Sequence, residues 1–352
     1  MAKAKIMELD LVRAIAILAV LMIHGTSEAS YYIPVGSRSQ IFYLALNKFS
    51  NFAVPLFLLL SGVVLFYRYS DKWSGREALA FYGKRIKFVV IPYLIWSFFY
   101  YIYNQWIVHY SFADVKLDGW DFLKKLQWAD TSYHLYFIII IVQLYLLFPV
   151  LMTLVRWRPV IGRYLIVIGL AVQVGYFLYH FYVHPFEHRA SLWFNYIAVF
   201  CVGGYMGLNY EKIRQAERNL WWVFGLTVFI GYSLLMYFVL ANQHINFGQP
   251  IYELLFNGYA VCVAFSFLWI GRKLLKFSKV TSALTSIGAA SFAIYFMHPA
   301  VLSWWRTAFV YPVGSLAYHA ATWVGFLLSL FVPWGIALLL KRWKGAWVLF
   351  GR

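Results

Sequence analysis

Hydrophobic residues occur along this chain in long runs of about 20, separated by short polar segments. A helix of that length crosses the roughly 30 Å hydrocarbon core of a bilayer. Because the longest connection, 109–132, is still short, we expect an all-α, polytopic integral membrane protein in which 1–352 form a single transmembrane domain. Ten spans can be placed, at 9–29, 49–67, 86–108, 133–155, 164–183, 192–209, 220–241, 252–270, 286–305 and 319–340.

Composition supports the membrane assignment. The chain is 63% hydrophobic and 12% charged, whereas soluble domains are close to half apolar and a quarter charged. A net charge of +17 would suggest nucleic acid as a partner of a soluble protein. In a membrane protein such an excess reflects topology, so we expect membrane lipids and no nucleic acid among the partners.

The basic residues give the spans a direction. Alternate segments hold 21 of the 30 Lys and Arg residues, and the intervening loops hold far fewer. Because basic loops stay in the cytoplasm, both termini are predicted to be cytoplasmic. The rich segments are 1–8, 68–85, 156–163, 210–219, 271–285 and 341–352.

The first span, LDLVRAIAILAVLMIHGTSEA, carries Asp10, Arg13 and His24, with Glu28 at its end. Ionisable groups in a membrane span usually face a polar cavity or a partner. At about 100° and 1.5 Å per residue, Arg13 and His24 lie about 20° apart around the helix and about 16 Å apart along it. One face is therefore predicted to carry an ionic inner end and an imidazole outer end. The alternative is that Arg13 reaches lipid headgroups and His24 lies at the outer boundary.

These residue types suggest specific chemistry. An imidazole can serve as the general base for a hydroxyl, and Glu28, four residues after His24, could accept a hydrogen bond from its ring. Asp10 is placed to pair with Arg13 at i,i+3. His134, at the outer start of the fourth span, is a second catalytic candidate.

Three further residues are candidates for a functional role. Arg85 and Lys87 open the third span at its inner end, where they either anchor it or bind phosphates arriving from the cytoplasm. His298, in the ninth span, is equally compatible with a structural and a functional role. The motifs GxxxxGK[ST], GxGxxG, HExxH and GxSxG do not occur, and we expect neither a metal nor a permanently bound cofactor.

Five segments of the chain together carry a resemblance to known proteins: LDLVRAIAILAVLMIH, NFAVPLFLLLSGVVL, FYGKRIKFVVIPYLIW, YHLYFIIIIVQLYLLFPVL and SFAIYFMHP. In this order they resemble the acyltransferase 3 family of integral membrane acyltransferases, and the resemblance runs from residue 9 to about residue 340. In many relatives the residue three positions after the arginine equivalent to Arg85 is basic, whereas here it is Phe88, with Lys87 beside it.

The resemblance implies a reaction across the membrane of a bacterial cell. Cytoplasmic acyl-CoA, most often acetyl-CoA, would be the co-substrate, and a hydroxyl of an extracytoplasmic glycan the acceptor. His24 would be general base or acyl carrier, assisted by Glu28 and His134. The implied donor-binding residues are Asp10, Arg13, Arg85 and Lys87, and the implied acceptor-binding residues are Tyr136, Tyr295 and His298.

Two other classes of function stay open at this point. The first is an exporter or flippase of a surface polysaccharide or lipid-linked saccharide, for which abundant aromatic residues are suitable. The second is a sensory or scaffold membrane protein, which would need no aligned Arg13 and His24. The stand-alone branch that the chain resembles includes proteins of polysaccharide O-acetylation and of poly-N-acetylglucosamine modification or export. The sequence is also compatible with a homo-oligomer.

Overall fold

The computed structural model describes Lys3, residues 6–215 and residues 220–351. Part of the basic charge of the predicted inner segments 1–8, 210–219 and 341–352 lies outside these residues. Throughout the described part the regular structure is helical, with no β-strand. The α-helices are α1 Glu8–Tyr32, α2 Arg38–Phe49, α3 Ala53–Tyr69, α4 Gly75–Arg85, α5 Ile91–His109, α6 Gly119–Trp128, α7 Tyr136–Trp157, α8 Pro159–Arg163, α9 Leu165–Tyr182, α10 Ile197–Leu208, α11 Tyr210–Gln215, α12 Trp221–Ala241, α13 Gln249–Leu274, α14 Ser278–Ala308, α15 Leu316–Leu339 and α16 Trp347–Phe350.

The polytopic all-α fold is confirmed. Within the described ranges, nine stretches are long and apolar enough to cross a membrane. Two of them contain a pair of helices each: α2 with α3, and α4 with α5, the latter joined by a π-helical turn, Ile86–Val90. The chain is thus a multi-pass membrane protein.

The predicted span 192–209 differs from the other nine. Its helix, α10, has only 12 residues, because two 3₁₀ turns occupy the preceding stretch, Arg189–Ser191 and Trp193–Asn195. The Asn195 side-chain amide donates to the carbonyl oxygen of Arg189, and a side chain that bonds nearby backbone competes with helix formation.

The helices cluster in two compact units. Of the described residues, the first unit contains Lys3, 58–215 and 340–351, and the second contains 6–57 and 220–339. In the first unit, α3 and α10 pack through small residues. A methyl group at Gly203 would overlap the Leu59 carbonyl oxygen, and one at Gly207 the Val63 carbonyl oxygen. From the first of these contacts to the second, the residue number rises in both helices, so α3 and α10 run parallel.

A second close contact in the same unit joins α9 to α10. An added methyl at Gly169 would lie 2.7 Å from Cβ of Cys201, and the Ala198 N–H donates to Oε1 of Gln173 at 3.0 Å. From the first of these contacts to the second, the residue number rises in α9 and falls in α10, so the two helices are antiparallel. Small residues at such interfaces allow the backbones to approach within packing distance.

The second unit is built around α1, which contacts α2, α13, α14 and α15. A methyl group at Gly288 of α14 would overlap the Asp10 carbonyl oxygen, so the two backbones touch there. Further along, the ring of His24 lies against that of His298, and Glu28 pairs with Arg306. Since both residue numbers rise through these levels, α1 and α14 run parallel.

The contact at Gly288 yields a stability prediction. Gly288→Ala should lower the unfolding temperature of the protein in detergent by several degrees, because the methyl group must push α1 away. Gly225→Ala is the matched control: Gly225 lies in α12, where an added Cβ meets nothing within 4 Å. Alanine favours a helix over glycine by up to about 1 kcal/mol, so the control should be neutral or stabilising. Equal melting temperatures for the two variants would contradict the packing argument.

The parallel course of α1 and α14 yields a topological prediction. For both to cross in the same direction, the chain must cross the membrane an odd number of times between them. The long apolar stretches between them are six in the described part of the chain, so α10 has to supply a seventh crossing. Reporter fusions in the loop before α10, at His184, and after it, at Lys212, should therefore report opposite sides of the membrane. Reporters on the same side would refute a crossing by α10.

Candidate active site

The first element of the site is the ionic start of α1. The guanidinium of Arg13 lies 3.0 Å from Oδ1 of Asp10, as the i,i+3 spacing predicts. The Asp10 side chain is 7% exposed and that of Arg13 is 34% exposed. A buried carboxylate is costly without a cation beside it, so the pair stabilises this end of α1.

A second ion pair lies beside it. Oε1 of Glu8 is 3.1 Å from Nε of Arg272, near the end of α13. Glu8 and Arg272 are 264 residues apart in the chain, so local sequence spacing carries no signal for this contact. The pair fastens the start of α1 to the end of α13.

The third element is a pair of histidines. The rings of His24 on α1 and His298 on α14 have centroids 5.2 Å apart and planes inclined by 32°. His298 is fully buried, whereas His24 is partly exposed. Tyr295, an expected acceptor-binding residue, is buried with its ring 6.3 Å from that of His298.

The tautomer of His298 follows from its neighbour in the sequence. Pro299 has no backbone N–H, so the Tyr295 carbonyl, four residues earlier, has no helical donor from that position. Nδ1 of His298 lies 2.8 Å from this oxygen and 3.0 Å from the Ile294 carbonyl oxygen. Since both partners are acceptors, Nδ1 carries the proton and Nε2 carries the lone pair.

The fourth element of the site is Arg306, which joins α14 to the C-terminal part of α1. Nη2 of Arg306 donates to the carbonyl oxygens of His24 and Gly25, at 2.9 and 3.1 Å. Nη1 of the same side chain lies 3.2 Å from Oε1 of Glu28. The i,i+4 spacing predicted a hydrogen bond from the His24 ring to Glu28, whereas the structure pairs Glu28 with Arg306, which was not among the predicted site residues. The i, i+4, i+8 spacing of His298, Leu302 and Arg306 was the available signal.

A cavity of about 210 Å³ opens at this end of α1, α14 and α15. Its lining includes Gly25 and Leu302, each about one helical turn or less from the histidine pair along its helix. Glu28, Arg306 and Trp305 also line it. The histidine pair therefore lies next to a cavity that has both charged and aromatic lining.

The remaining predicted residues belong to the first unit. His134 is buried, with Nδ1 3.1 Å from Oγ of Ser132 and its ring 5.0 Å from that of Tyr100. Tyr136 is the first residue of α7. The structure thus gives His134 a hydroxyl and an aromatic neighbour, and its predicted catalytic role stays a prediction.

The two basic residues before α5 are both stacked on aromatic rings. The guanidinium carbon of Arg85 lies 4.8 Å from the ring centroid of Phe81 and 4.5 Å from that of Tyr145. Lys87, in the π-helical turn, has its ammonium 4.6 Å from the Trp347 ring. Nε of Arg85 is buried and has no acceptor among the described residues. Such cations are held in place and can still contact a phosphate.

An exposed polar cluster lies in the loop after α3. Nζ of Lys3 donates to Oγ of Ser70 and lies 3.1 Å from Oδ1 of Asp71, while Arg156 donates to the Ser70 carbonyl oxygen. The Lys3 hydrogen bond, followed by that from Ser70, holds the pKa of Asp71 below its usual value. The described residues contain no group of three or more His, Cys, Asp or Glu placed to hold a metal ion.

Comparison with known sequences identifies the family of this protein. The sequence profile of the acyltransferase 3 family, described as an acyltransferase domain, matches residues 6–340. The chain therefore belongs to the acyltransferase 3 family of integral membrane acyltransferases.

The similar curated proteins share one description. A "Probable poly-beta-1,6-N-acetyl-D-glucosamine export protein" of Staphylococcus epidermidis is 26% identical over 323 residues, covering 88% of this chain and 83% of the relative. Proteins of the same description from two Staphylococcus aureus strains, MRSA252 and MSSA476, are each 22% identical, covering 96% of this chain and 93% of the relative. No solved structure matches.

The Asp10–Arg13 pair can be tested by a double substitution. Arg13→Gln alone should destabilise the protein by up to about 3 kcal/mol, because it leaves a buried carboxylate without its cation. Asp10→Asn combined with Arg13→Gln should recover most of that loss, since the carboxylate is removed together with its cation. Unfolding in detergent, followed by tryptophan fluorescence, measures both variants. If the double variant is as unstable as Arg13→Gln, the ion pair is not what stabilises this end of α1.

Proposed function

We propose that this protein moves an acyl group, acetyl in the simplest case, from cytoplasmic acyl-CoA to a hydroxyl of an extracytoplasmic glycan. The observation that carries the proposal is the α1–α14 pair: two parallel helices with buried ionic groups at one end and adjacent histidines further along. Family membership supports acyl transfer as the reaction class.

In the proposed reaction His24 removes the proton from the acceptor hydroxyl. The oxygen attacks the thioester carbonyl, a C–O bond forms and the C–S bond breaks. The sulfur takes the proton from His24, so coenzyme A leaves as the thiol and His24 is neutral again. In this reaction Nε2 of His298, which carries the lone pair, accepts a hydrogen bond from the His24 imidazolium. The centroid separation of 5.2 Å supports direct cooperation of the two rings.

We assign the donor to the cytoplasmic end, as the basic loops predict. Arg85 and Lys87 would contact coenzyme A phosphates, since both are cations already oriented by aromatic rings. Asp10 and Arg13, in the second unit, form an ion pair at the start of α1, and their part in donor binding stays a prediction. No permanently bound cofactor enters the reaction.

For the acceptor, the description shared by the relatives is the best guide. We propose a β-1,6-linked N-acetylglucosamine polymer at the outer face of the cytoplasmic membrane of a bacterium, with one of its hydroxyl groups as the acylated position. Those relatives are named for export of this polymer.

Export is a second candidate function, and the printed names of the relatives favour it. An exporter would move the polymer without consuming acyl-CoA. It would also need no general base, so loss of the His24 imidazole would leave transport unchanged.

Replacing His24 tests the proposal. In proteoliposomes supplied with labelled acetyl-CoA outside and β-1,6-linked N-acetylglucosamine oligosaccharide inside, His24→Ala should lower transfer of label by at least about 100-fold, the lower range for loss of a general base. His109→Ala is the control, because His109 is an exposed histidine at the end of α5.

Three outcomes separate the candidates. Label on the oligosaccharide with the unmodified protein and the control, and none with His24→Ala, supports acyl transfer. Movement of oligosaccharide with no consumption of acetyl-CoA supports export. Full transfer by a folded His24→Ala variant overturns the role of His24.

A further inference from the structure

We propose that the cavity beside α1, α14 and α15 binds one neutral sugar residue of the acceptor, and that Glu28 and Arg306 form its polar clamp. The inference rests on the proposed function for the identity of the ligand as an acceptor. The site itself is argued from its lining, its size and its connection to His24.

The size of the cavity fits a single saccharide unit. Its volume is about 210 Å³, several times the roughly 30 Å³ that one molecule of liquid water occupies. The space is therefore large enough for one pyranose ring. Val310 and Tyr32, at the cavity, are 81% and 61% exposed, so a longer glycan could continue past them.

The charges of the cavity indicate a neutral ligand. Glu28 and Arg306 are paired at 3.2 Å, so the two polar side chains together contribute no net charge. A carboxylate accepts hydrogen bonds and a guanidinium donates them. Adjacent hydroxyl groups of a sugar can satisfy both at once, whereas a phosphate would be opposed by Glu28.

The apolar lining has the character of a stacking surface. Trp305 and Phe309 have ring centroids 4.3 Å apart and both line the cavity. Nε1 of Trp305 donates to the Ala321 carbonyl oxygen, which fixes the indole between α14 and α15. A fixed indole offers a preorganised surface for the C–H face of a sugar, because little entropy is lost when the ligand binds.

Arg306 connects this cavity to the reacting group. Its Nη1 pairs with Glu28, while its Nη2 holds the backbone carbonyl of His24. One guanidinium therefore contacts both the sugar-binding carboxylate and the backbone that carries the base. Arg306 is on this account a positioning residue for His24 as well as part of the clamp.

The two halves of the clamp should give different kinetic effects. Glu28→Gln keeps the shape and loses the charge, so we expect the KM for the β-1,6-linked N-acetylglucosamine oligosaccharide to rise about tenfold, as for loss of a charge-assisted hydrogen bond. The effect should fall on this KM and leave the KM for acetyl-CoA unchanged. Arg306→Lys keeps the charge and loses the fork that also holds the His24 carbonyl, so kcat should fall as well.

Arg38→Lys is the matched control, since Arg38 is an exposed arginine at the start of α2 in the same unit. It should behave as the unmodified protein in every assay. If Glu28→Gln and Arg306→Lys leave the oligosaccharide KM within twofold of that of Arg38→Lys, the sugar clamp is refuted.

Direct binding separates this inference from the proposed function. Titration with the oligosaccharide in the absence of acetyl-CoA should change the tryptophan fluorescence of the unmodified protein, and Trp305→Phe should remove that change. Binding that weakens in Glu28→Gln supports the clamp even if no acyl transfer is found. Acyl transfer by a protein in which neither Trp305 nor Glu28 affects oligosaccharide binding overturns the clamp and leaves the proposed function intact.

Discussion

The structure depends on the backbone contact between α1 and α14. Inside a bilayer, lipid is as apolar as the side chains, so helices associate through close packing and polar bonds rather than through the hydrophobic effect. Gly288 allows α14 to touch the Asp10 carbonyl, and this contact sets the register of the two helices. The register in turn brings His24 against His298 and Glu28 against Arg306.

Hydropathy was enough to predict most of the fold, because the requirement for about 20 apolar residues per span is imposed by the solvent. The stretch 192–209 shows where that reasoning stops. It is apolar throughout much of its length. The Asn195 side chain nevertheless donates a hydrogen bond to the backbone of Arg189, and the helix begins only at Ile197. Hydropathy averages over such a side chain, whereas the local hydrogen bond decides where the helix begins.

Part of the site was predictable from the local sequence. The i,i+3 rule predicted the Asp10–Arg13 pair that the structure contains, and the shared face of Arg13 and His24 stays a prediction of helical periodicity. The contacts of Arg272 with Glu8 and of Arg306 with His24 could not be predicted, because no spacing rule relates residues more than 250 positions apart. The tautomer of His298 was an intermediate case: the dipeptide His298–Pro299 already contained the freed carbonyl that orients the ring.

The long separation between Glu8 and Arg272 has a consequence for biosynthesis. Asp10 meets Arg13 within its own helix, so that carboxylate is compensated as soon as α1 forms. The contact of Glu8 with Arg272 needs a residue that the ribosome adds 264 positions later. At about 5–20 residues per second, the delay is on the order of tens of seconds. The ionic attachment of α1 to α13 is therefore made late, after most of the chain has been synthesised.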